Sequence, residues 1–150
     1  MVRILFVCSG NTCRSPLAEA ITRRLLEAAG RTDVEVSSAG TSAWDGSPAS
    51  DGALLVGMER GLDLSAHRSR HLTPAILKES DLVLVMSPSH LSRVREIDPG
   101  AKAHLLAGFA SGEAGRAVQD PFGGDLAAYR ETVDDLETEL SQLLDRIPAT

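Results

Sequence analysis

The chain has 150 residues, of which 43% are hydrophobic, 24% charged and only 3% aromatic, and its formal net charge is −6. This size and composition predict one globular domain over residues 1–150, and collagen, coil, disorder and a disulfide-stapled scaffold are poor descriptions of the chain. The acidic balance, without a basic stripe, argues against nucleic acid or anionic lipid as the main partner.

Two features of the sequence bear on the compartment. The apolar stretch Ile4 to Val7 is too short for a secretory signal, and no later stretch approaches the roughly 20 apolar residues of a membrane span. The two cysteines, Cys8 and Cys13, lie close together in the chain, and a reducing compartment would hold them as thiols. We therefore expect a cytoplasmic protein with no membrane partner, in which the cysteines serve chemistry.

The predicted elements alternate between strands and helices. The apolar run RILFV at 3–7 predicts a first strand, and Ser15 offers an N-cap, with Pro16 at the first helical position, for a helix that closes at Gly30. The continuous apolar run LVLVM predicts a strand that is buried on both faces. The elements predicted after the first helix are strand 34–38, helix 49–60, helix 73–78, strand 81–86, helix 89–97 and strand 103–106.

The C-terminal third is predicted to hold a long loop and a last helix. Residues 107–121 contain three glycines and are interpreted as a loop, after which Asp125 caps the helix. Apolar residues recur in this helix at steps of three and four up to Ile147, which fits a coiled-coil seam or a helix covering one face of a sheet. We favour the second interpretation. Strands alternating with helices predict an α/β fold with a parallel sheet covered on both faces.

The segment CSGNTCRS, from Cys8 to Ser15, joins the first strand to the first helix. Open parallel sheets bind ligands beyond the carboxyl ends of their strands, and a helix N-terminus presents unpaired amides to an anion. Gly10 and Asn11 tolerate the left-handed backbone that a wrapped loop needs. Arg14 adds a planar fork of donors suited to two oxygens of a phosphate. The segment therefore predicts a phosphate site.

Cys8 is the candidate nucleophile of this site. Helix N-termini and nearby cations lower cysteine pKa values to roughly 3.5 to 7.5, so we expect a thiol that is largely ionised at neutral pH, with the Ser15 hydroxyl as a further donor. In-line attack on a bound phosphorus would give a phosphocysteine, which water then hydrolyses to inorganic phosphate. Cys8 alone could be a small buried hydrophobe at a strand end, but the full string CSGNTCRSP favours phosphate chemistry.

The string CSGNTCRSP and a late DPFGG resemble the low-molecular-weight protein tyrosine phosphatase family. The likeness continues through VSSAGTSAW, LSAHRSRHLT and LVLVM, in the order and at about the spacing of the family. It implies a three-layer, flavodoxin-like fold with a four-stranded parallel sheet flanked by helices. It also implies no metal and no cofactor, a phosphorylated protein as substrate, and hydrolysis through a cysteinyl phosphate.

The resemblance also assigns roles to residues. Cys8 matches the nucleophile, Arg14 the phosphate clamp and Asp120 the general acid, while Ser38 and His67 match positions that hold the loop asparagine in place. It further suggests a reversible disulfide between Cys8 and Cys13 that protects the nucleophile. The expected phosphate-binding residues are Ser9, Gly10, Asn11, Thr12, Cys13, Arg14 and Ser15.

Asp120 is also favoured, less firmly, by its own surroundings in the sequence. It precedes Pro121, which biases its backbone towards an extended conformation, and it ends a glycine-containing loop on the predicted Cys8 side of the sheet. An ordinary Asp-Pro turn is the alternative. As an acid Asp120 would protonate the leaving atom, and as a base it would then activate water. His71, His90 and His104 have no identifiable partner and are interpreted as surface or satisfied residues.

Three positions bear on the substrate. Thr12 stands where tyrosine-type members usually have isoleucine, and threonine goes with phosphoarginine hydrolysis in certain bacterial relatives. Phe122 is followed by two glycines, whereas tyrosine-type members place two aromatic residues after the Asp-Pro pair. Trp44 matches an aromatic at the pocket mouth and could stack on a phenyl ring or a guanidinium group. We favour phosphoarginine, with phosphotyrosine as the alternative.

Two other functions remain open at this point, and the oligomeric state is expected to be a monomer or weak dimer. Arsenate reductases related to the family need further cysteines, and the chain has only two. A non-catalytic phosphate-binding module could use the same fold. Release of p-nitrophenol by the wild type and not by Cys8→Ser would separate an enzyme from a binding module.

Overall fold

A computed structural model describes residues 1–112 and 116–148 of the chain. Its strands and helices alternate along the sequence, as the apolar patterns predict. The elements are β1 (Val2–Cys8), α1 (Arg14–Ala28), β2 (Val34–Gly40), α2 (Asp51–Glu59), α3 (Pro74–Lys78), β3 (Leu82–Val85), α4 (Pro88–Ile97), β4 (Ala103–Leu105), α5 (Leu106–Ser111) and α6 (Leu126–Leu143), followed by a 3₁₀ turn at Leu144–Arg146.

The four strands form one parallel sheet in the order β2-β1-β3-β4. Side chains of β1 alternate between the two faces, and both faces are covered. Ile4 and Phe6 belong to a core shared with α1, α2, α5 and α6, whereas Leu5 and Val7 belong to a second core shared with α3 and α4. The three-layer α/β fold is confirmed, and burial on both faces explains why β3 and the part of β1 from Ile4 onward are continuously apolar.

The register of the sheet brings several loops to one edge. Cys8 is paired with Gly40, and Val7 with Val85, so the chain leaves β1, β2 and β3 at neighbouring points. A Cβ atom added to Gly40 would lie 2.3 Å from the carbonyl oxygen of Ser9 and 2.9 Å from the amide nitrogen of Asn11. Only glycine therefore allows the end of β2 to approach the loop that follows β1.

Helix α1 begins two residues earlier than predicted. Arg14 is its first residue and Cys13 is the N-cap residue, which makes no side-chain capping hydrogen bond. The prediction that Ser15 is the N-cap is wrong, because the Ser15 hydroxyl is bonded to the side chains of Cys8 and Asn11 instead. Pro16 lies within the first turn, where its missing N–H group costs nothing.

The predicted loop over 107–121 is partly wrong. Residues Leu106–Ser111 form α5, whose Leu106 and Ala110 side chains are buried, and Gly112 ends it with a φ of 82°. Residues 113–115, which include the third glycine of this segment, lie outside the described part of the chain.

The last helix begins as predicted, because the Asp125 side chain accepts a hydrogen bond from the Ala128 amide. Its α-helical part ends at Leu143 rather than Ile147, and a 3₁₀ turn follows. Its apolar stripe is buried in the core around the sheet, which supports the sheet-covering interpretation. No helix within the described ranges is both long and apolar enough to cross a membrane.

Candidate active site

The loop after β1 is built around the side chain of Asn11. This residue has a φ of 56° and is fully buried. Its side-chain nitrogen, Nδ2, donates to the hydroxyls of Ser15, at 2.8 Å, and Ser38, at 2.9 Å. Its side-chain oxygen accepts from the Arg70 amide at 2.9 Å, and the His67 ring donates to its backbone carbonyl at 2.7 Å. The structure thus brings Ser38 and His67 onto the loop asparagine.

These bonds hold Asn11 in a left-handed conformation that an isolated asparagine adopts only occasionally. The loop also binds to the segment after β2, since the amides of Thr41 and Ser42 donate to the carbonyls of Cys8 and Ser9. Three stretches of the chain, at Ser15, at 38–42 and at 67–70, therefore fix its shape. A rigid loop can present its backbone amides to an anion without reorganising when the anion binds.

Cys8 is buried at the base of this loop. Its sulfur lies 2.8 Å from the Ser15 hydroxyl. Because the Ser15 oxygen already accepts from Asn11, its hydrogen is available to donate to the sulfur. The backbone amides of Ser15 and Asn11 also face the sulfur.

The ionisation of Cys8 differs from the sequence-based expectation. Burial raises the pKa of the Cys8 thiol, and this effect exceeds the lowering by the Ser15 hydrogen bonds, the Arg14 charge and the Asn11 amide. The direction of this shift is opposite to the lowering that the sequence predicts. The sequence shows the groups that stabilise the anion but does not show how completely the sulfur is removed from water.

Arg14 and Asp120 face the same pocket as Cys8. The buried Arg14 guanidinium donates to the Val118 carbonyl at 3.1 Å and lies 3.4 Å from a carboxylate oxygen of Asp120. The other oxygen of Asp120 accepts from the Phe122 amide at 3.0 Å, which fixes the rotamer of this half-exposed side chain. A thiol, a guanidinium cation and a carboxyl group therefore meet in one pocket.

The pocket has a volume of about 410 Å³. Trp44 and Phe122 stand at its mouth, with 84% and 71% of their surfaces exposed. Thr12 contributes to the wall, and its hydroxyl lies 3.8 Å from the Cys13 sulfur. The full lining is Cys8, Ser9, Gly10, Thr12, Cys13, Arg14, Ser42, Ala43, Trp44, Ser47, Asp120 and Phe122.

The model of the low molecular weight phosphotyrosine protein phosphatase family matches residues 3–150. The chain belongs to this family. It is 43% identical to a protein-arginine-phosphatase of Geobacillus stearothermophilus over 147 residues, covering 97% of this chain and 95% of the relative. It is 33% identical to the probable low molecular weight protein-tyrosine-phosphatase EpsP of Ralstonia nicotianae over 147 residues, covering 97% and 96% of the two chains.

A solved structure of the YwlE arginine phosphatase, a mutant with a phosphorylated active-site serine in place of cysteine, has the same fold. It superposes with a TM-score of 0.92 at 35% identity and covers 97% of this chain and 95% of that one. The phosphorylated side chain shows that the active-site position of that family member accepts a phosphoryl group. The resemblance noted in the sequence is thereby confirmed.

Within this family site, sequence analysis missed the role of His90. This residue is buried, and its ring nitrogens lie 2.8 Å from the Ser9 hydroxyl and 3.0 Å from the Ser87 hydroxyl. Burial and the Arg14 charge lower the pKa of His90 to about 4, with Asp120 opposing, so the ring is neutral at physiological pH. Its position in the first turn of α4, just after β3 ends, is the only sequence signal for this contact.

Sequence analysis also missed the partners of Cys13. The Cys13 sulfur is buried and lies 3.1 Å from the Ser50 hydroxyl and 3.5 Å from the Tyr129 hydroxyl. Ser50 caps α2, and Tyr129 is in the second turn of α6. Both cysteines are free thiols.

Among the described residues, no group of three or more His, Cys, Asp and Glu side chains could hold a metal ion.

Proposed function

We propose that this chain is a phosphoprotein phosphatase that acts through a phosphocysteine at Cys8 and favours phosphoarginine. The observation that carries the proposal is the meeting of Cys8, Arg14 and Asp120 in one pocket at the carboxyl edge of the sheet. The family of the chain and its similarity to protein-arginine-phosphatases support the same activity.

In the first step, the Cys8 sulfur attacks phosphorus while the bond to the leaving atom breaks. The sulfur attacks as the thiolate, which the Ser15 hydroxyl, the loop amides and the Arg14 charge stabilise against the opposing effect of burial. Arg14 and the loop amides stabilise the charge on the three equatorial oxygens. Asp120, in its protonated form, donates its proton to the departing nitrogen or oxygen.

In the second step, water attacks the phosphocysteine and Asp120, now ionised, takes its proton. The sulfur–phosphorus bond breaks, inorganic phosphate forms and Cys8 leaves as a thiolate that the Ser15 hydroxyl stabilises. Residues Ser9, Gly10, Asn11, Thr12, Cys13 and Ser15 form the remainder of the phosphate-binding loop. No cofactor or metal takes part in the proposed reaction.

The substrate preference rests on the shape of the pocket mouth. Gly123 has a φ of 80°, and a Cβ atom on Gly124 would lie 3.0 Å from the Pro121 carbonyl oxygen. Side chains are therefore disfavoured directly after Phe122, so this segment supplies only one aromatic wall. Thr12 adds a hydroxyl group that can bond to a guanidinium or to water. Both features suit phosphoarginine better than a phenyl ring held on two sides.

Phosphotyrosine is the second candidate, and Trp44 is the observation that favours it. This exposed indole at the mouth can stack on a phenyl ring as readily as on a guanidinium. Rates measured side by side on matched peptides bearing phosphoarginine, phosphotyrosine and phosphoserine decide between the two. We expect the largest kcat/KM for phosphoarginine, and a larger value for phosphotyrosine would overturn the preference but not the phosphatase activity.

A non-catalytic module and an arsenate reductase are separated from a phosphatase by one further assay. Wild-type protein should release p-nitrophenol from its phosphate ester, and Cys8→Ser should not. The chain has only two cysteines, so it lacks the additional thiols that resolve an arsenylated cysteine within such reductases.

We further propose a cytoplasmic protein that is a monomer or weak dimer. The two free thiols in the pocket suit a reducing compartment. Of the described large apolar side chains, few are exposed, and Trp44 and Phe122 among them belong to the pocket mouth. Light scattering at micromolar concentration should give the mass of a monomer, and a stable higher oligomer would contradict this.

A further inference from the structure

Asp120 stands on a segment, residues 116–122, that belongs to neither a helix nor a strand. Its carboxyl group is half exposed, and within the described part of the chain its bonding partners are Arg14 and the amide of Phe122. A general acid must lie within hydrogen-bond reach of the leaving atom. The position of this segment over the pocket therefore needs anchors of its own.

Three backbone contacts hold the segment. The Val118 amide donates to the Met86 carbonyl at 2.8 Å, and the Val118 carbonyl accepts from Arg14 at 3.1 Å. The Thr132 hydroxyl shares its one hydrogen between the Gln119 carbonyl, at 3.3 Å, and the Ala128 carbonyl of its own helix, at 3.1 Å. Arg14 is also the proposed phosphate clamp, so its bonds to the segment compete with those to a bound phosphate. The other anchors must hold Asp120 when substrate is present.

Arg116 supplies the strongest of these other anchors. Its guanidinium makes two bonds to the Asp135 carboxylate, at 3.0 and 2.8 Å, and one to Glu139 at 2.5 Å. Both acidic residues are on α6, a long helix that is packed into the core. Charge-assisted, forked bonds of this kind fix direction as well as distance.

Glu139 is itself buried, and one of its carboxylate oxygens has no hydrogen-bond partner among the described residues. A buried carboxylate of this kind depends on the paired cation. The ion pairs of Arg116 with Asp135 and Glu139 thus tie the start of the segment to α6. Helix α6 also contacts Gln119, the residue before Asp120, through Thr132.

We propose that Arg116 is a positioning residue for the general acid, which acts by clamping the 116–120 segment onto Asp135 and Glu139 of α6. The proposal rests on the assigned role of Asp120. Small displacements of a catalytic group cost up to about a hundredfold in rate. Loss of the clamp should therefore slow the departure of poor leaving groups, which need a proton, more than that of good ones.

Two variants test the clamp. Arg116→Lys keeps a cation for Glu139 but loses the fork to Asp135. The pair Arg116→Met with Glu139→Leu removes the buried Glu139 carboxylate together with its paired cation, a change that such sites often tolerate. We expect kcat/KM for phenyl phosphate, a poor leaving group, to fall about tenfold more than kcat/KM for p-nitrophenyl phosphate in the double variant, and by a smaller factor in Arg116→Lys.

Arg130→Met is the matched control, because it removes an arginine of α6 that makes two bonds to the Glu59 carboxylate, away from the segment. It should keep the wild-type ratio of the two rates. In an Asp120→Asn background, the Arg116 changes should add no further leaving-group dependence. Equal losses on both substrates, or full additivity with Asp120→Asn, would overturn the clamp. Wild-type leaving-group dependence in Asp120→Asn itself would instead overturn the role of Asp120.

Discussion

The side chain of Asn11 fixes the geometry of the pocket, although Cys8 and Asp120 are the groups proposed to react. All of its side-chain hydrogen-bonding groups are occupied, and its partners come from β2, from the start of α1 and from the segment before α3. Ser15 is its most consequential partner, because bonding to Asn11 turns the Ser15 hydrogen towards the Cys8 sulfur. Asn11 and Ser15 thereby affect the ionisation of the Cys8 thiol.

This arrangement predicts the effect of Ser15→Ala. Removing the hydroxyl removes a donor that favours the thiolate, so the pKa of Cys8 should rise further above its ordinary value. A bond to a charged group is worth about 1.5 kcal/mol or more, so the thiolate fraction at a given pH near neutrality should fall about tenfold. The rate of Cys8 alkylation by iodoacetamide, followed by mass spectrometry from pH 6 to 10 (roughly the range in which thiols titrate), measures it.

Ser50→Ala is the matched control for this measurement, because the Ser50 hydroxyl contacts Cys13 and not Cys8. Its alkylation profile at Cys8 should stay close to that of the wild type. A Ser15→Ala profile that coincides with the wild type would show that the hydroxyl does not stabilise the anion.

Asp120→Ala should separate catalysis from binding. The loop amides and Arg14 remain, and Arg14 loses a competing carboxylate at 3.4 Å, so inorganic phosphate should bind at least as tightly. General acid and base catalysis is worth about 10² to 10⁴ in rate, and turnover of phenyl phosphate should fall by that order. Asp125→Asn, which keeps a helix-capping side chain five residues away, is the control. An unchanged rate would remove Asp120 from the mechanism.

Thr12→Ile should shift the substrate preference towards phosphotyrosine. The change replaces a hydroxyl in the pocket wall by an apolar arm, so a guanidinium loses a polar partner and a phenyl ring gains an apolar surface. The ratio of kcat/KM for phosphoarginine to that for phosphotyrosine should fall about tenfold. Thr12→Ser, which retains the hydroxyl, should preserve most of the wild-type ratio. If Thr12→Ile leaves the ratio unchanged, Thr12 does not set the preference.

At the scale of elements, the end of β2 is as important to the site as the loop after β1. Gly40 pairs with Cys8 and leaves no room for a Cβ atom against the backbone of Ser9 and Asn11. Because these neighbours are backbone atoms, they cannot move aside as a flexible side chain would. The end of β2 and the loop after β1 are thereby in close contact at Gly40.

We expect Gly40→Ala to push the loop out of shape. The added methyl group should cost about 1 to 3 kcal/mol of unfolding free energy, the usual cost of overpacking, and should weaken phosphate binding about tenfold. Urea unfolding and phosphate titration measure the two effects. Gly100→Ala is the control, since its new Cβ atom would lie 3.4 Å from a carboxylate oxygen of Asp98. A Gly40→Ala protein with wild-type phosphate affinity would contradict the coupling.

Elements that carry a strong local pattern could be predicted from the sequence. Strand β3 and the part of β1 from Ile4 onward are apolar because both faces of the sheet are covered, and Asp125 marks the start of α6 by its capping side chain. Helix α5 could not be predicted, because its N-cap residue Leu105 offers no side-chain cap, whereas Thr73 and Pro74 mark the start of the still shorter α3. Its stability comes from Leu106 and Ala110, which are buried in the core shared with α6.

The same distinction holds for the site. The loop from Cys8 to Ser15 is contiguous, so its chemistry is visible in the sequence. The contact of His90 with Ser9 joins residues 81 positions apart, and the bond from Arg70 to Asn11 joins residues 59 apart. The upward pKa shift of Cys8 depends on burial by the whole core, which no local pattern shows.

At the scale of the whole molecule, the pocket couples ligand binding to folding. Its lining comes from the loops after β1 and β2 and from the segment before α6, which meet only in the folded state. A ligand that binds only this state adds a stabilisation of RT ln(1 + [L]/Kd). Inorganic phosphate, the product of the proposed reaction, should therefore raise the melting temperature in proportion to the logarithm of its concentration.

At about 100 times Kd this stabilisation is roughly 2.7 kcal/mol, which corresponds to about 5 to 10 °C in the melting temperature of a chain of this length. Differential scanning fluorimetry with sodium phosphate, against sodium chloride of equal ionic strength, measures it. Arg14→Lys should lose most of the shift, because a lysine cannot bind two phosphate oxygens through a planar fork. Arg130→Met, which breaks a surface pair on α6, should retain it. A shift that chloride reproduces, or that Arg14→Lys keeps in full, would mean that phosphate does not bind in this pocket.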